Sequence, residues 1–429
     1  MKVCSITGMR AAAWTACALT SLAARALPVT WDVGALAEVP ESAPTGFYAD
    51  ETTNGVRTVY LKGLPFKGRD TRIFAYWGVP ASASAANRVP AMVLVHGGGG
   101  SAFHRWVRFW VGRGYAAISM DLNGCVSGNV FGEEQRGHRR HAWAGPGARG
   151  CGGFDLLNEF DLLNEKDEDQ WMYHAVAAVV RSHSFLRAQP GVDPDRIGLT
   201  GVSWGGVVSC VVAAVDGRFR FAAPVYGCGF LYEGFSSWTQ RDGGASGANI
   251  RLRREKWVPK WDPMNYLAEA KVPVHWLDGT NDQNFSLPSL ARSFRLVPTE
   301  KSLAVKVRFG HAHGAVSEQA PEVLALADQH LAGGARRPQL GATTVDGAVA
   351  TAPLTFDARM PVVAAKLDYT TDDRAHWYSN VWRSVSARVA DGKVSATVPA
   401  GATYFYLAVD TASGGRVSGQ VIGRTKGLR

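Results

Sequence analysis

Apolar and polar positions change their spacing twice along the chain. From Thr58 to Leu61 and from Thr71 to Gly78 they alternate, with turn-forming sequence between Gly63 and Arg69, which predicts an antiparallel pair of strands. The runs from Pro90 to Val95 and from Tyr115 to Met120 are short and continuously apolar, as in strands buried on both faces of a parallel sheet. Residues 103–113 between them read as helix. Helical stretches at Glu168 to Leu186, Trp204 to Val215 and Pro321 to Leu331 then alternate with strand-like runs at 197–200, 221–225, 272–277 and 303–309. Such alternation predicts an α/β architecture, a mostly parallel sheet flanked by helices. Beyond Ala332 to Pro338 the period falls to two. Alternating runs at Val362 to Tyr369, Ser384 to Val389, Lys393 to Val398, Tyr404 to Val409 and Arg416 to Ile422 predict a small β-sandwich over 339–429. Asp391-Gly392 supplies a hairpin signal.

The amino terminus has a different character. Lys2 and Arg10 precede an apolar run from Ala11 to Leu22, and Ala24-Arg25-Ala26 fits a small-residue cleavage site. Residues 1–26 therefore read as a signal peptide, which predicts an exported protein, periplasmic or secreted. No later stretch is long and apolar enough for a membrane span. The expected domains are 27–332 and 339–429. With 429 residues, 46% of them hydrophobic and 19% charged, the chain can build a large core and is not mainly disordered. Its net charge of +9 is scattered, which argues against a nucleic-acid stripe. Four cysteines follow the signal segment. Cys125 and Cys151 lie in Gly-rich sequence where a bridge would pin a long insertion, and Cys210 and Cys228 read as buried thiols. No spacing suggests a metal or a cofactor. The hexapeptide Phe-Asp-Leu-Leu-Asn-Glu is repeated at 154–159 and 160–165, a neutral duplication in a loop.

The sharpest chemical signal is Gly201-Val-Ser203-Trp-Gly205, placed directly between a strand and a helix. That context makes Ser203 a nucleophile on a strained turn. A serine needs a base oriented by an acid, here expected in the order Ser, acid, His after successive strands. Leu277-Asp-Gly-Thr-Asn-Asp282 offers the acid: Asp282 follows the turn, whereas Asp278 at the strand end suits hydrogen bonding within it. Gly310-His311-Ala312-His313-Gly314 offers the base. His313 has the longer reach and is preferred, with His311 as the alternative. His96 and the glycines after it follow a strand, so Gly98 and Gly99, with Trp204, are the expected backbone donors to an oxyanion.

These motifs, together with Asp169-Gln-Trp-Met-Tyr-His174 and Asp262-Pro-Met-Asn-Tyr266, give residues 27 to about 332 a resemblance to α/β-hydrolases of the dienelactone hydrolase, acetyl xylan esterase and prolyl-oligopeptidase-like group. The resemblance implies the α/β-hydrolase fold and a triad of Ser203, Asp282 and one of His311 and His313. It also implies an exported esterase that deacylates a small ester or an acetylated polysaccharide. Trp106, Trp110, Trp143, Trp171 and Trp238 are candidates to stack on sugar rings, foremost Trp106 and Trp171, against the ordinary role of tryptophan in a core. Trp377 and Trp382 could extend substrate contact from the sandwich or fill its core. The other readings are a serine peptidase of the prolyl-oligopeptidase type, disfavoured by the short stretch before the oxyanion strand, and a carbohydrate-binding protein without catalysis.

Overall fold

The computed structural model describes residues 26–45, 55–98, 100–126, 139–140, 162–232, 251–374 and 376–423. The expected signal peptide up to residue 25, Gly99, Trp143, Cys151, Trp238 and most of the tandem hexapeptide lie outside them. Strands β1 (Ser42–Ala43), β2 (Val56–Lys62), β3 (Arg72–Gly78), β4 (Val89–Val95) and β5 (Ala116–Met120) open the chain. β6 (Cys125–Val126) and β7 (Arg139–Arg140) form a separate antiparallel ribbon. Cys125 is disulfide-bonded, its partner outside the described residues, whereas Cys210 and Cys228 are buried free thiols as expected. β8 (Val192–Val202), β9 (Ala222–Val225), β10 (Val274–Gly279) and β11 (Lys301–Lys306) complete a sheet in the order β1-β2-β3-β5-β4-β8-β9-β10-β11. From β5 to β11 all neighbours are parallel, and β1 to β3 join antiparallel.

Parallel strands need crossovers, and the helices supply them. Helices α2 (His104–Gly112), α3 (Trp171–Arg187) and α4 (Trp204–Val215) pack on the sheet, and the short α1 (Val33–Ala37) packs on α3. Every residue of α4 is buried, which explains its unbroken run of Gly, Ala, Val, Ser and Cys. No helix among the described residues is long and apolar enough to cross a membrane.

The carboxy-terminal strands are β12 (Gln339–Leu340), β13 (Thr344–Asp346), β14 (Val349–Thr355), β15 (Val362–Thr370), β16 (Trp382–Ser386), β17 (Arg388–Ala390), β18 (Lys393–Thr397), β19 (Tyr404–Thr411), β20 (Arg416–Ser418) and β21 (Ile422–Gly423). They form two sheets. One of them continues the main sheet, because β20 pairs antiparallel with β11 through Leu303 and Ser418. β19 therefore has two apolar faces. Phe405, Leu407 and Val409 pack into the small sandwich core with Ala352, Leu354 and Val394. Tyr404, Tyr406 and Ala408 join the large core, together with Trp377 and Trp382. Both tryptophans are buried there, which removes them as substrate contacts from the sandwich.

The segment 332–338 is anchored to both sides. Arg337 is buried, donates from its guanidinium to the Arg416 carbonyl at 2.8 Å and to Ser302 Oγ at 3.3 Å, and donates its backbone N–H to Gln329 Oε1 at 2.8 Å. Glu322 accepts the Arg416 N–H at 2.9 Å and pairs with Lys306 at 3.0 Å. The joint is polar, and its two anchoring side chains, Arg337 and Glu322, are buried. Ending the chain at Gly334 should therefore uncover the β11 edge and leave an insoluble or much less stable protein, while the full chain unfolds in one thermal transition. A soluble truncated chain with the melting temperature of the full protein would contradict this.

Candidate active site

All the expected catalytic residues lie at the carboxyl ends of parallel strands, where loops can converge without interrupting the sheet. Ser203 follows β8 and precedes α4 at φ 59°, ψ −118°, a conformation that non-glycine residues avoid. The turn closes because its neighbours lack side chains. A Cβ on Gly201 would lie 2.2 Å from the Gly205 carbonyl oxygen, and one on Gly205 would lie 2.1 Å from that of Val95. The Ser203 N–H donates to the Val225 carbonyl at 2.8 Å, which ties the elbow to β9.

His311 Nε2 lies 2.9 Å from Ser203 Oγ, and His311 Nδ1 lies 2.6 Å from Asp282 Oδ2. Asp282 is buried, and its other oxygen accepts the N–H groups of Asn284 and Phe285 at 2.6 and 2.9 Å. With the carboxylate accepting at Nδ1, the ring proton belongs there and the Nε2 lone pair faces the serine. Asp278 plays the quieter part expected of it. Its Oδ1 accepts the Gly279 N–H at 2.7 Å, and burial, reinforced by the nearby Asp282 charge, pushes its carboxyl well above the usual range.

The preferred base therefore changes. His313 is turned away from Ser203: its Nε2 accepts the Gly97 N–H at 2.9 Å, and its Nδ1 faces Glu318 Oε1 at 3.2 Å. The chain leaving β11 turns sharply at Arg308, φ 57°, and the Tyr226 hydroxyl donates to the Gly310 carbonyl at 2.7 Å. That turn delivers His311 to the serine and sends His313 past it towards α2. His311 also packs on Tyr226, with ring centroids 4.6 Å apart, and stacks on Phe285 at 5.9 Å. Tyr226, Phe285 and Glu318 escaped the sequence reading. Only the position of Tyr226 directly after a strand hinted at a role.

The aromatic platform is also corrected. Trp106 is 1% exposed and donates through Nε1 to the Glu318 carbonyl at 2.9 Å. Trp171, 2% exposed, donates to the Leu122 carbonyl at 2.9 Å and packs edge-on against Trp204. Neither presents a face to a sugar, and Trp110 is fully buried as well. Asp262 of the Asp-Pro-Met-Asn-Tyr segment accepts the N–H groups of Phe230, Leu231 and Met264, and burial raises its carboxyl to about 6.

Among the described residues, His275, Glu300 and His330 bring potential metal-ligand atoms within 4.8 Å of one another. They lie at the opposite, amino end of the strands. Burial lowers His330 to about 4, and the neighbouring charges of Arg220, Arg337 and Arg336 act in the same direction. The same positive charges oppose a cation.

Glu318 gives the site a measurable acid response. Burial alone would raise its carboxyl, but hydrogen bonds from His313 and Arg105 outweigh it and hold the value down at about 2, from an ordinary 4.5. The ionised form is thus favoured by folding, so its contribution is complete above about pH 4.5 and is lost as the pH falls towards about 2. Glu318→Gln should lower the unfolding free energy at neutral pH by on the order of 3 kcal/mol. Urea unfolding across the acid range should show this difference vanish near pH 2; a difference independent of pH would contradict the assignment.

Two family models match the chain: acetyl xylan esterase (AXE1) over residues 31–238 and the prolyl oligopeptidase family over residues 160–330. Residues 339–429 lie beyond both matches. Among solved structures, the acetyl xylan esterase from Paenibacillus sp. R4 is similar at 18% identity and TM-score 0.49, covering 70% of this chain and 92% of that one. Acetyl xylan esterase 1 from Thermoanaerobacterium sp. JW/SL YS485 is similar at 20% identity and TM-score 0.48, covering 71% and 94%. For the acylaminoacyl peptidase of Pyrococcus horikoshii the values are 17% and 0.46, covering 65% of this chain and 42% of that one. The sheet order, the serine on its strained turn and the matched family models lead to one conclusion: the chain is a member of the α/β-hydrolase superfamily, a serine hydrolase acting on esters.

Proposed function

We propose that the protein is an exported carboxylesterase that works through an acyl-enzyme on Ser203, with His311 as base and Asp282 as the acid that orients it. The observation that carries this reading is the continuous line from Ser203 Oγ through His311 to Asp282, at 2.9 and 2.6 Å. In the first half-reaction His311 Nε2 takes the Ser203 proton as Oγ attacks the ester carbonyl carbon. The tetrahedral oxyanion is received by the N–H groups of Gly98 and Trp204, and His311 returns the proton to the departing alcohol. Water, deprotonated by the same imidazole, then attacks the acyl-enzyme, and Ser203 is released with its proton restored. Gly99, the remaining candidate donor, lies outside the described residues.

An acetyl ester of a polysaccharide is the proposed substrate. It is supported by the acetyl xylan esterase model over 31–238 and by the export pattern of residues 1–26. Residues 339–429 are proposed as an accessory unit that braces the catalytic sheet. The prolyl oligopeptidase match over 160–330, which contains all three triad residues, keeps a peptidase as the second reading.

A panel of acetyl, butyryl and feruloyl aryl esters, acetylated xylan and an aminoacyl arylamide tests the proposal. Acetyl esters should turn over fastest, and the arylamide should be left intact; preferred cleavage of the arylamide would move the assignment to a peptidase. Ser203→Ala should lower kcat by on the order of 10⁴-fold or more, and His311→Ala by on the order of 10³-fold or more. Near-wild-type kcat in either variant would exclude the triad.

A further inference from the structure

Gly97 touches the nucleophile. A Cβ there would lie 3.0 Å from Ser203 Cβ, 2.9 Å from the Val202 carbonyl oxygen and 3.0 Å from His313 Nε2. Each of its two peptide units is held by an imidazole. Its N–H donates to His313 Nε2 at 2.9 Å. Its carbonyl accepts from His96 Nδ1 at 2.7 Å and from the Gly100 N–H at 3.1 Å. Both tautomers follow from the partners. His96 Nε2 accepts the Leu122 N–H at 2.9 Å, so the His96 proton sits on Nδ1. His313 Nε2 is likewise an acceptor, so its proton sits on Nδ1 and points at Glu318.

The support behind His313 is built as firmly. Buried Glu318 accepts Arg105 Nε and Nη2 at 3.1 and 2.8 Å, and the Gly314 N–H at 3.1 Å. Phe103 packs on the His313 ring with centroids 4.9 Å apart, and Trp106 lies edge-on at 6.4 Å. A peptide is planar, so fixing the Gly97 carbonyl also fixes the direction of the Gly98 N–H, which lies trans in the same plane. We propose that His313 and His96 form a paired imidazole clamp that sets the Gly97–Gly98 peptide in the orientation needed to donate to the oxyanion, with His313 a positioning residue. This inference rests on the esterase reading. A donor fixed before reaction needs no reorganisation when charge develops, which is where such groups gain their effect.

The two amide replacements of His313 separate its two contacts. Glutamine carries its side-chain oxygen to the former Nε2 position and can accept the Gly97 N–H. Asparagine reaches only the Nδ1 position and can serve Glu318 alone. On an aryl acetate, His313→Gln should keep kcat within about 10-fold of wild type, whereas His313→Asn and His313→Ala should lose about 10²–10³-fold, the effect of removing one oxyanion donor. KM should change only a few-fold in all three. Hydrogen exchange in the full-length protein, followed on the peptide containing Gly97 and Gly98, should accelerate in the Asn and Ala variants and stay slow in the Gln variant. Asparagine equalling or outperforming glutamine, or unchanged exchange in every variant, would overturn the clamp. Inactivity of wild type on every ester would count against the esterase reading instead, and the exchange experiment would still decide whether His313 holds the loop.

Discussion

The turn at Ser203 is the constraint on which the rest of the molecule depends. Holding a serine at φ 59°, ψ −118° costs on the order of 1–3 kcal/mol, and nothing in the local sequence offsets it. The compensation is tertiary. Helix α4 enters directly from the turn and is buried along its whole length, and Val207, Val208, Val211 and Val212 each contribute on the order of 1.5–3 kcal/mol by leaving water. Those contributions exceed the strain, provided that helix and strands can approach closely. Gly201 and Gly205 permit the approach, bringing α4 against the carbonyls of Val95 and His96. The apolar character of α4 and the exposure of the serine at its head are therefore two consequences of one packing arrangement.

Around that turn, the charges are sorted into separate sets. Asp282 serves His311 and is satisfied by two backbone N–H groups, so its negative charge is held without a competing cation. Asp278, close enough to repel it, has its carboxyl pushed up by burial and by Asp282 itself. Glu318 serves His313 and is balanced by Arg105. Two histidines two residues apart thus have different carboxylate partners and different backbone duties. Merging the sets would place two carboxylates on one imidazole, at the cost of burying an uncompensated charge.

The carboxy-terminal strands extend this economy to the far side of the sheet. β20 pairs with β11, the strand whose exit turn delivers His311, and β19 lies beyond it with one face in each core. Arg416 reaches Asp368 at 2.9 Å and Asp410 at 2.7 Å, while its carbonyl accepts from Arg337. What looks in the sequence like an appended unit is, in its hydrogen bonding, the last section of the catalytic sheet.

Local pattern alone determined much of this. Runs apolar on both faces marked β4, β5 and α4, the Gly-x-Ser-x-Gly context placed Ser203 at a strand-to-helix turn, and Asp391-Gly392 closes the hairpin between β17 and β18. Asp282, after a strand and a glycine turn, was legible for the same reason: strand ends and turns are properties of neighbouring residues. β14 was not, since Pro353 interrupts a run that pairs with β18 all the same. The choice between His311 and His313 was not legible either, because both follow the same strand in nearly the same local sequence, and the turn at Arg308 together with the distant partners Asp282 and Gly97 decides it. Trp106 and Trp171 could have been a sugar platform until the sheet and helices closed over them. The segment 332–338 reads as a linker until Arg337 finds Ser302 and Arg416. In each case periodicity reported which face of an element is apolar, but the partner of a side chain lay tens to hundreds of residues away, and only the packed fold brings such pairs together.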